Sequence, residues 1–337
     1  MPGQNDVALL SDPTQLGRLL TRIENDPAAA ERALAQLPRA QTPARRIGFT
    51  GSPGVGKSSL INLVIAQLSA AGRRVAVVAV DPTSAISGGA VLADRIRLDS
   101  AAPGVFIRSL ASRGSLGGVT PAASAVAQVL EAAGYDPVLI ETVGVGQTGY
   151  DIVSLADTVV ALFSPESGDG VQLLKAGIME IGDLYVVNKC DRPGAGVLAN
   201  EILASLDLAS EPAGHHAATA ASETTAADSA IAAGWTPPVL QVSARDGTGV
   251  GELAEQLDAH AQWLAALPAD HPHKLRRVRR ELEFVISTEL ACAGGPRIQG
   301  LAGRLAAQIQ GGTISQQGAL EVLRRQVLEN LRGSWDA

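Results

Sequence analysis

The chain has 337 residues, room for about two compact units with a full core, and its two cysteines, Cys190 and Cys292, are too few for a disulfide framework and fit a reducing compartment. A formal charge of −7 and a poverty of aromatic side chains (three Trp, three Tyr, four Phe) exclude nucleic acid as the expected ligand, because the positive field and the stacking platforms are both lacking. No apolar run approaches the 18 or so residues of a bilayer span, and the start of the chain (Gln4, Asn5, Asp6, Asp12) lacks a basic-then-apolar leader, so a cytoplasmic protein without membrane contact is expected.

In chain order, residues 7–40 read as helical. Leu16, Leu19, Leu20 and Ile23 fall at i, i+3, i+4 and i+7, and Asn25-Asp26-Pro27 closes one helix and opens another bearing Ala33, Leu34 and Leu37. From Arg46 onward short apolar runs alternate with helix-length segments; the runs are 47–50, 75–80, 105–107, 138–140, 159–163, 184–187 and 239–242. Rich in β-branched residues and each followed by Gly, Pro or Asp, they suit strands of a parallel sheet buried on both faces. The expected fold is therefore α/β, a doubly wound and mostly parallel sheet spanning 45–266, with helical extensions at 1–44 and 267–337. Within it, 209–234 is an Ala/Ser/Thr-rich insertion whose one large aliphatic residue is Ile231. Past Pro268, Leu282, Val285, Ile286 and Leu290 mark one helical face, and Leu320, Leu323, Val327 and Leu331 a later one. Such stripes need a partner surface, from this chain or from a second copy.

The first run leads into Gly51-Ser52-Pro53-Gly54-Val55-Gly56-Lys57-Ser58, with Ser59 next, and then a helical stretch (Leu60, Leu63, Val64, Leu68). This is the P-loop pattern G-x-x-x-x-G-K-[ST] in its strand-to-helix setting, so the sheet is expected to be that of a P-loop NTPase. The spacing serves phosphate chemistry. Glycines let backbone N–H groups turn inward, the helix directs its positive end at the anion, Lys57 neutralises β/γ charge, and the Ser58 hydroxyl ligates Mg²⁺.

Base identity is read further on. Asn188-Lys189-Cys190-Asp191 follows the run 184–187. A fixed carboxylate at Asp191 can accept from N1–H and the exocyclic amine of guanine, a donor pair that adenine lacks, while Asn188 and Lys189 brace the loop and the base plane. Ser243-Ala244-Arg245 ends the last run, placed for backbone contact with the guanine oxygen. Each motif alone could be a strand-ending turn; in this order after a P-loop they select GTP/GDP. Glu141-Thr142-Val143-Gly144 has the acid-x-x-Gly form in which a carboxylate reaches Mg²⁺ through water. Asp81 and Asp94 could join the metal or orient water, although Asp81 before Pro82 also suits a plain strand-end turn, and for Asp94, in the loop-like stretch 88–95, a structural role stands level with a functional one on chemistry alone. Gln147 is open between positioning water and facing a partner. For an arginine that compensates transition-state charge, Arg108 and Arg113 are the candidates. His215-His216, the pair His271/His273 and the basic run 274–280 suggest metal or polyanion binding; without cysteine partners or aromatics they read as solvated loop histidines and as a solvated or dimer-facing helix surface.

Several of these stretches together resemble one family. Asp81-Pro82-Thr83-Ser84, Gly88-Gly89 through Asp94-Arg95, Arg113-Gly114-Ser115-Leu116-Gly117-Gly118, Glu141 through Gln147, Gly177-Ile178-Met179-Glu180 and Asn188 through Asp191 are similar to the MeaB/ArgK family, the MMAA-like methylmalonyl-CoA mutase-associated GTPases. The resemblance runs from about Leu16 to the last helix. It implies a homodimeric G-protein chaperone that binds an adenosylcobalamin-dependent acyl-CoA mutase, hydrolyses GTP, gates cofactor loading and protects the mutase; adenosylcobalamin would be met only through that partner. It also implies that Lys57, Asp94 and Glu141 act in hydrolysis, that Ser58, Asp81, Asp94 and Glu141 surround Mg²⁺, that Asp191 reads guanine, and that the C-terminal helices form a dimerisation arm. The chain departs from the family pattern at Gly149 (usually acidic), at Ala90, Ala93 and Ile96, and at Ser164-Pro165-Glu166-Ser167-Gly168-Asp169, where Pro-Gly-x-Gly-Asp is usual. These departures point to a branch serving a related mutase, such as one for isobutyryl- or 2-hydroxyisobutyryl-CoA. The rival readings are a metallochaperone-type GTPase, which would need Cys/His clusters, and a kinase or transport-associated ATPase, which Asp191 disfavours.

Overall fold

Two helices open the described part of the chain. Asp12 caps α1 (Pro13–Asn25), its carboxylate accepting from the Thr14 N–H at 2.9 Å, and Leu16, Leu20 and Ile23 are buried along one face. The break at Asp26 and restart in α2 (Pro27–Gln36) follow from Pro27, which fits a first turn but not a helix interior. The computed structural model describes residues 10, 12–36, 44–81, 104–111, 121–142, 149–166, 178–210 and 234–293, together with 304, 305, 308, 322 and 325. The 209–234 insertion (beyond residue 210) and the 320–331 stripe (apart from 322 and 325) lie outside them. Two compact units emerge, Met1–Val278 and Arg279–Ala337.

Seven strands form one sheet in the order β3-β2-β4-β1-β5-β6-β7, every neighbouring pair parallel. They are β1 (Arg46–Gly51), β2 (Val75–Asp81), β3 (Val105–Ala111), β4 (Val138–Thr142), β5 (Thr158–Phe163), β6 (Leu184–Asn188) and β7 (Val239–Val242). All seven expected runs are strands, and β1, β4, β5 and β6 are buried along their whole length, as a sheet covered on both faces demands. The helices between them are α3 (Lys57–Ala70), α4 (Pro121–Ala132), α5 (Gly149–Leu155), α6 (Ala195–Ser210) and α7 (Val250–Ala266). One face of the sheet (Phe49, Val77, Leu139, Leu162, Val186) shares a core with Leu60, Ile61 and Val64 of α3 and Leu253 and Leu257 of α7. On β1, Gly48 leaves room for α5: a Cβ there would stand 2.5 Å from Ile152 Cγ1. The central β1, with the chain winding outward on either side, creates the crevice at the strand C-termini where such sheets bind ligands.

The opposite edge is closed by charge. Asp183, fully buried before β6, accepts from the Val159 N–H at 2.8 Å and from Arg276 Nη2 at 2.6 Å, while Trp235 Nε1 donates to its backbone carbonyl at 2.9 Å. Burial alone would raise the Asp183 carboxyl, but the Arg276 guanidinium and its neighbours hold it below the usual range. Arg276 belongs to the first turns of α8 (Pro272–Ala293). Arg277 Nε donates to Asp157 at 2.6 Å, and Lys274 Nζ to the Leu267 carbonyl at 3.0 Å. The basic run 274–280 is thus not a solvated face throughout: its first half turns inward because Asp157 and Asp183, at the starts of β5 and β6, supply the counter-charges. In the second unit, Arg279 and Arg280 pair with Glu283 of their own helix, at 3.0 and 3.4 Å. His273 is likewise no loop histidine; it is buried in the first turn of α8 with its ring 5.2 Å from that of Trp263.

His260 of α7 is buried beside Asp183, its Nδ1 2.8 Å from Thr158 Oγ1. Burial pushes its pKa down to about 4, against a smaller opposing pull from Asp183. An unfolded chain protonates this imidazole near pH 6.5, whereas the folded one resists to about pH 4, so its contribution is intact above pH 6.5 and is lost as pH falls. Unfolding free energy is expected to drop by about 2 kcal/mol between pH 7 and pH 5 in the wild type relative to His260→Gln. Urea midpoints at the two pH values measure it; equal slopes in both proteins would contradict the assignment.

Candidate functional site

The P-loop leaves β1 at Gly51 and enters α3 at Lys57, as its motif requires. Two glycines are fixed by their surroundings. Gly51 has φ +153° and a Cβ there would meet the Leu162 carbonyl oxygen at 2.5 Å; Gly56, at φ +97°, would drive a Cβ into Asn188 Nδ2. Val55 is buried in the core, whereas Pro53 and Gly54 are exposed at the loop's crest and Ser59 faces outward on the first turn of α3. The buried Lys57 ammonium donates to the carbonyls of Gly51 at 2.8 Å and Ser52 at 3.1 Å, so the lysine lies back across its own loop. The α3 N-terminus that follows the loop is the kind of helix end that can receive an anion.

Asn188 joins this loop to the two motifs expected to read the base. Its Nδ2 donates to the Val55 carbonyl at 2.8 Å and its Oδ1 accepts from the Ala244 N–H at 3.0 Å. Asp191 is held by Ser243 Oγ, which donates at 3.2 Å, and Arg245 Nη1 lies 3.8 Å from its other oxygen. The Ser243–Thr248 turn is shaped by Asp246, whose bonds from the Thr248 hydroxyl and N–H keep its carboxyl below the usual range. Cys190 bonds through its N–H to the Val242 carbonyl at 3.1 Å, and its thiol is pushed up by burial and by Asp246 and Asp191. Lys189 adopts φ +61° and pairs with Glu166 at 2.8 Å. Glu166 carries no motif of its own; its one cue in the sequence is the departure from Pro-Gly-x-Gly-Asp.

On the other side of β1, Glu141 near the end of β4 is buried and accepts from Ser58 Oγ at 2.7 Å. A hydroxyl and a buried carboxylate at this distance form an all-oxygen donor set of the kind Mg²⁺ takes, and they sit next to the phosphate loop. Asp81 closes β2, one strand beyond β4, but its side chain is outside the described residues, as are Asp94, Arg113 and Gln147. Arg108 is not a catalytic arginine. It lies on edge strand β3, three steps or about 14 Å from β1, and gives its guanidinium to Glu24 of α1 at 2.6 Å.

Comparison with known proteins points to a family of GTPases. The family described as methylmalonyl-CoA mutase-associated GTPase MeaB matches residues 16–293. A Pyrococcus horikoshii protein named as a GTPase is 40% identical over 278 residues, covering 82% of each chain. The Caenorhabditis elegans methylmalonic aciduria type A homolog is 48% identical over 149 residues, 43% of this chain and 37% of that one. Among solved structures, a LAO/AO transport system kinase superposes with a TM-score of 0.67 at 23% identity, covering 96% of this chain and 97% of that one, which shows a shared fold.

Proposed function

The chain belongs to the MeaB family of methylmalonyl-CoA mutase-associated GTPases, and from this premise we propose that it couples GTP hydrolysis to the care of an adenosylcobalamin-dependent acyl-CoA mutase, gating cofactor loading and protecting the mutase. The observation that carries the guanine part is the Asn188 side chain, which ties the phosphate loop to both base-reading loops and so builds one continuous nucleotide site.

In this reading the P-loop N–H groups and the α3 N-terminus hold the phosphates, and Lys57 offsets the charge that develops between the β- and γ-phosphates. Asp191, oriented by Ser243, accepts from the guanine edge; Lys189 flanks the base. Ser58 would bind Mg²⁺ directly and Glu141 through water, with Asp81 and Asp94 as further acids. When bound, the ion supplies charge neutralisation of the phosphate oxygens. Attack of water in line with the γ-phosphate yields GDP and phosphate. Slow unassisted turnover, with acceleration supplied by a partner, is the behaviour expected of such a site. Homodimerisation is supported by Leu275 and Val278, apolar side chains exposed three positions apart at the start of α8, which a second copy would cover.

Phosphate release by the purified chain, alone and with each of a panel of adenosylcobalamin-dependent acyl-CoA mutases, tests the proposal. Slow release from GTP, stimulation by a related mutase such as isobutyryl- or 2-hydroxyisobutyryl-CoA mutase, and no release from ATP are expected. Stimulation by methylmalonyl-CoA mutase alone would refute the related-mutase assignment, and stimulation by none would remove the chaperone role.

A further inference from the structure

We propose that Glu166 is a positioning residue for guanine recognition, anchoring the Lys189 ammonium so that the lysine's methylene stem forms a fixed wall of the base site. The inference rests on the guanine reading of 188–191 and goes beyond it, since Glu166 belongs to no nucleotide motif.

Glu166 stands just past the end of β5, the strand between β1, which carries the phosphate loop, and β6, which carries the base loop. Its two oxygens reach both ends of the base loop: Oε2 lies 2.8 Å from Lys189 Nζ and Oε1 lies 3.4 Å from Arg192 Nε. The loop itself is closed by the Arg192 N–H, which donates to the Lys189 carbonyl at 2.9 Å. Lys189 occupies the left-handed region at φ +61°, rare for a residue with a side chain, so the turn directs the stem and only its far end needs a tether. Pro165 approaches the same loop, 3.7 Å from where a Cβ on Gly194 would be. The hydrogen bond and charge of Lys189 hold the Glu166 carboxyl below its ordinary range, which keeps it ionised at neutral pH.

A lysine stem has four rotatable bonds, and ordering it only when the base arrives would cost affinity. Tethering it beforehand lowers that cost and slows nucleotide departure. An exposed pair of this kind is weak and salt-sensitive, which sets the size and the signature of the effect.

Release of a fluorescent GDP analogue from the full-length protein is the measurement, in wild type, Glu166→Gln, Lys189→Met and the double variant. Glu166→Gln is expected to speed release about 3- to 5-fold. Raising ionic strength should speed release from wild type and leave Glu166→Gln almost unchanged. In the Lys189→Met background, which keeps the stem but removes the charge, adding Glu166→Gln should have no further effect. Wild-type release from Glu166→Gln, or an equal acceleration in the Lys189→Met background, overturns the proposal. The two readings fail separately: a wild type that holds ADP as well as GDP loses the guanine assignment, whereas guanine preference with a silent Glu166→Gln loses only the tether.

Discussion

Lys57→Ala is expected to lower phosphate release from GTP by about 10²- to 10³-fold, the loss typical of removing one preorganised donor from a site where charge develops. The ammonium has two tasks. In the structure it donates to the Gly51 and Ser52 carbonyls, holding the P-loop in its turned form; in the proposed function the same charge would offset the phosphates. Truncation therefore removes the charge and also leaves two loop carbonyls without that donor. Lys57→Met, which keeps the apolar stem, should lose almost as much turnover with less effect on thermal unfolding. Single-turnover phosphate release with saturating GTP reads the first quantity and a melting curve the second. Hydrolysis at the wild-type rate in both variants would show that another cation serves the γ-phosphate.

Arg276→Met is expected to destabilise the first unit by about 3–5 kcal/mol, the range for removing one partner of a buried ion pair. Asp183 is fully buried and Arg276 nearly so, at 0% and 7% side-chain exposure, and they meet at 2.6 Å. Removing the guanidinium strands a carboxylate that keeps only its Val159 N–H bond and a distant imidazole. The double variant Asp183→Leu/Arg276→Met should recover much of the loss, because an apolar pair of similar volume replaces a desolvated charge rather than exposing one. Urea midpoints of the single and double variants decide it. A loss below about 1 kcal/mol for Arg276→Met would mean that solvent reaches Asp183 after all.

Most of the sheet was legible in the sequence because burial on both faces leaves uninterrupted β-branched runs, which helix-length segments separate as a parallel sheet requires; the strand order was not legible in this way. The P-loop turn and the turns at 188–191 and 243–248 were legible for another reason. Their chemistry depends on backbone turns and a few fixed side chains, so the spacing is carried in short local words such as Gly51 through Ser58 and Asn188 through Asp191. What spacing does not carry is pairing across the fold. Lys274 through Arg280 reads as one basic face, yet Arg276 and Arg277 turn toward Asp183 and Asp157, some 90 and 120 positions earlier. Arg108 looks like a spare cation until its edge strand and Glu24 are seen together. Glu166 is visible in the sequence as an irregularity alone, because its partner stands 23 positions away in a separate loop.

The double engagement of Asn188 restricts how the protein can be tuned. One amide fastens the P-loop to the turns at 188–191 and 243–248, so on the proposed function the three loops would meet a nucleotide already assembled, with little ordering left to oppose binding. On that reading the same economy would couple grip on the base to grip on the phosphates. A substitution that relaxes one relaxes the other, and sequence drift in any of the three loops is answerable to a side chain in another. For a partner that must eject spent GDP, the arrangement offers a short route: displacing the turn at Ala244 draws on the same amide that steadies Val55, and the far end of the ligand is loosened without being touched.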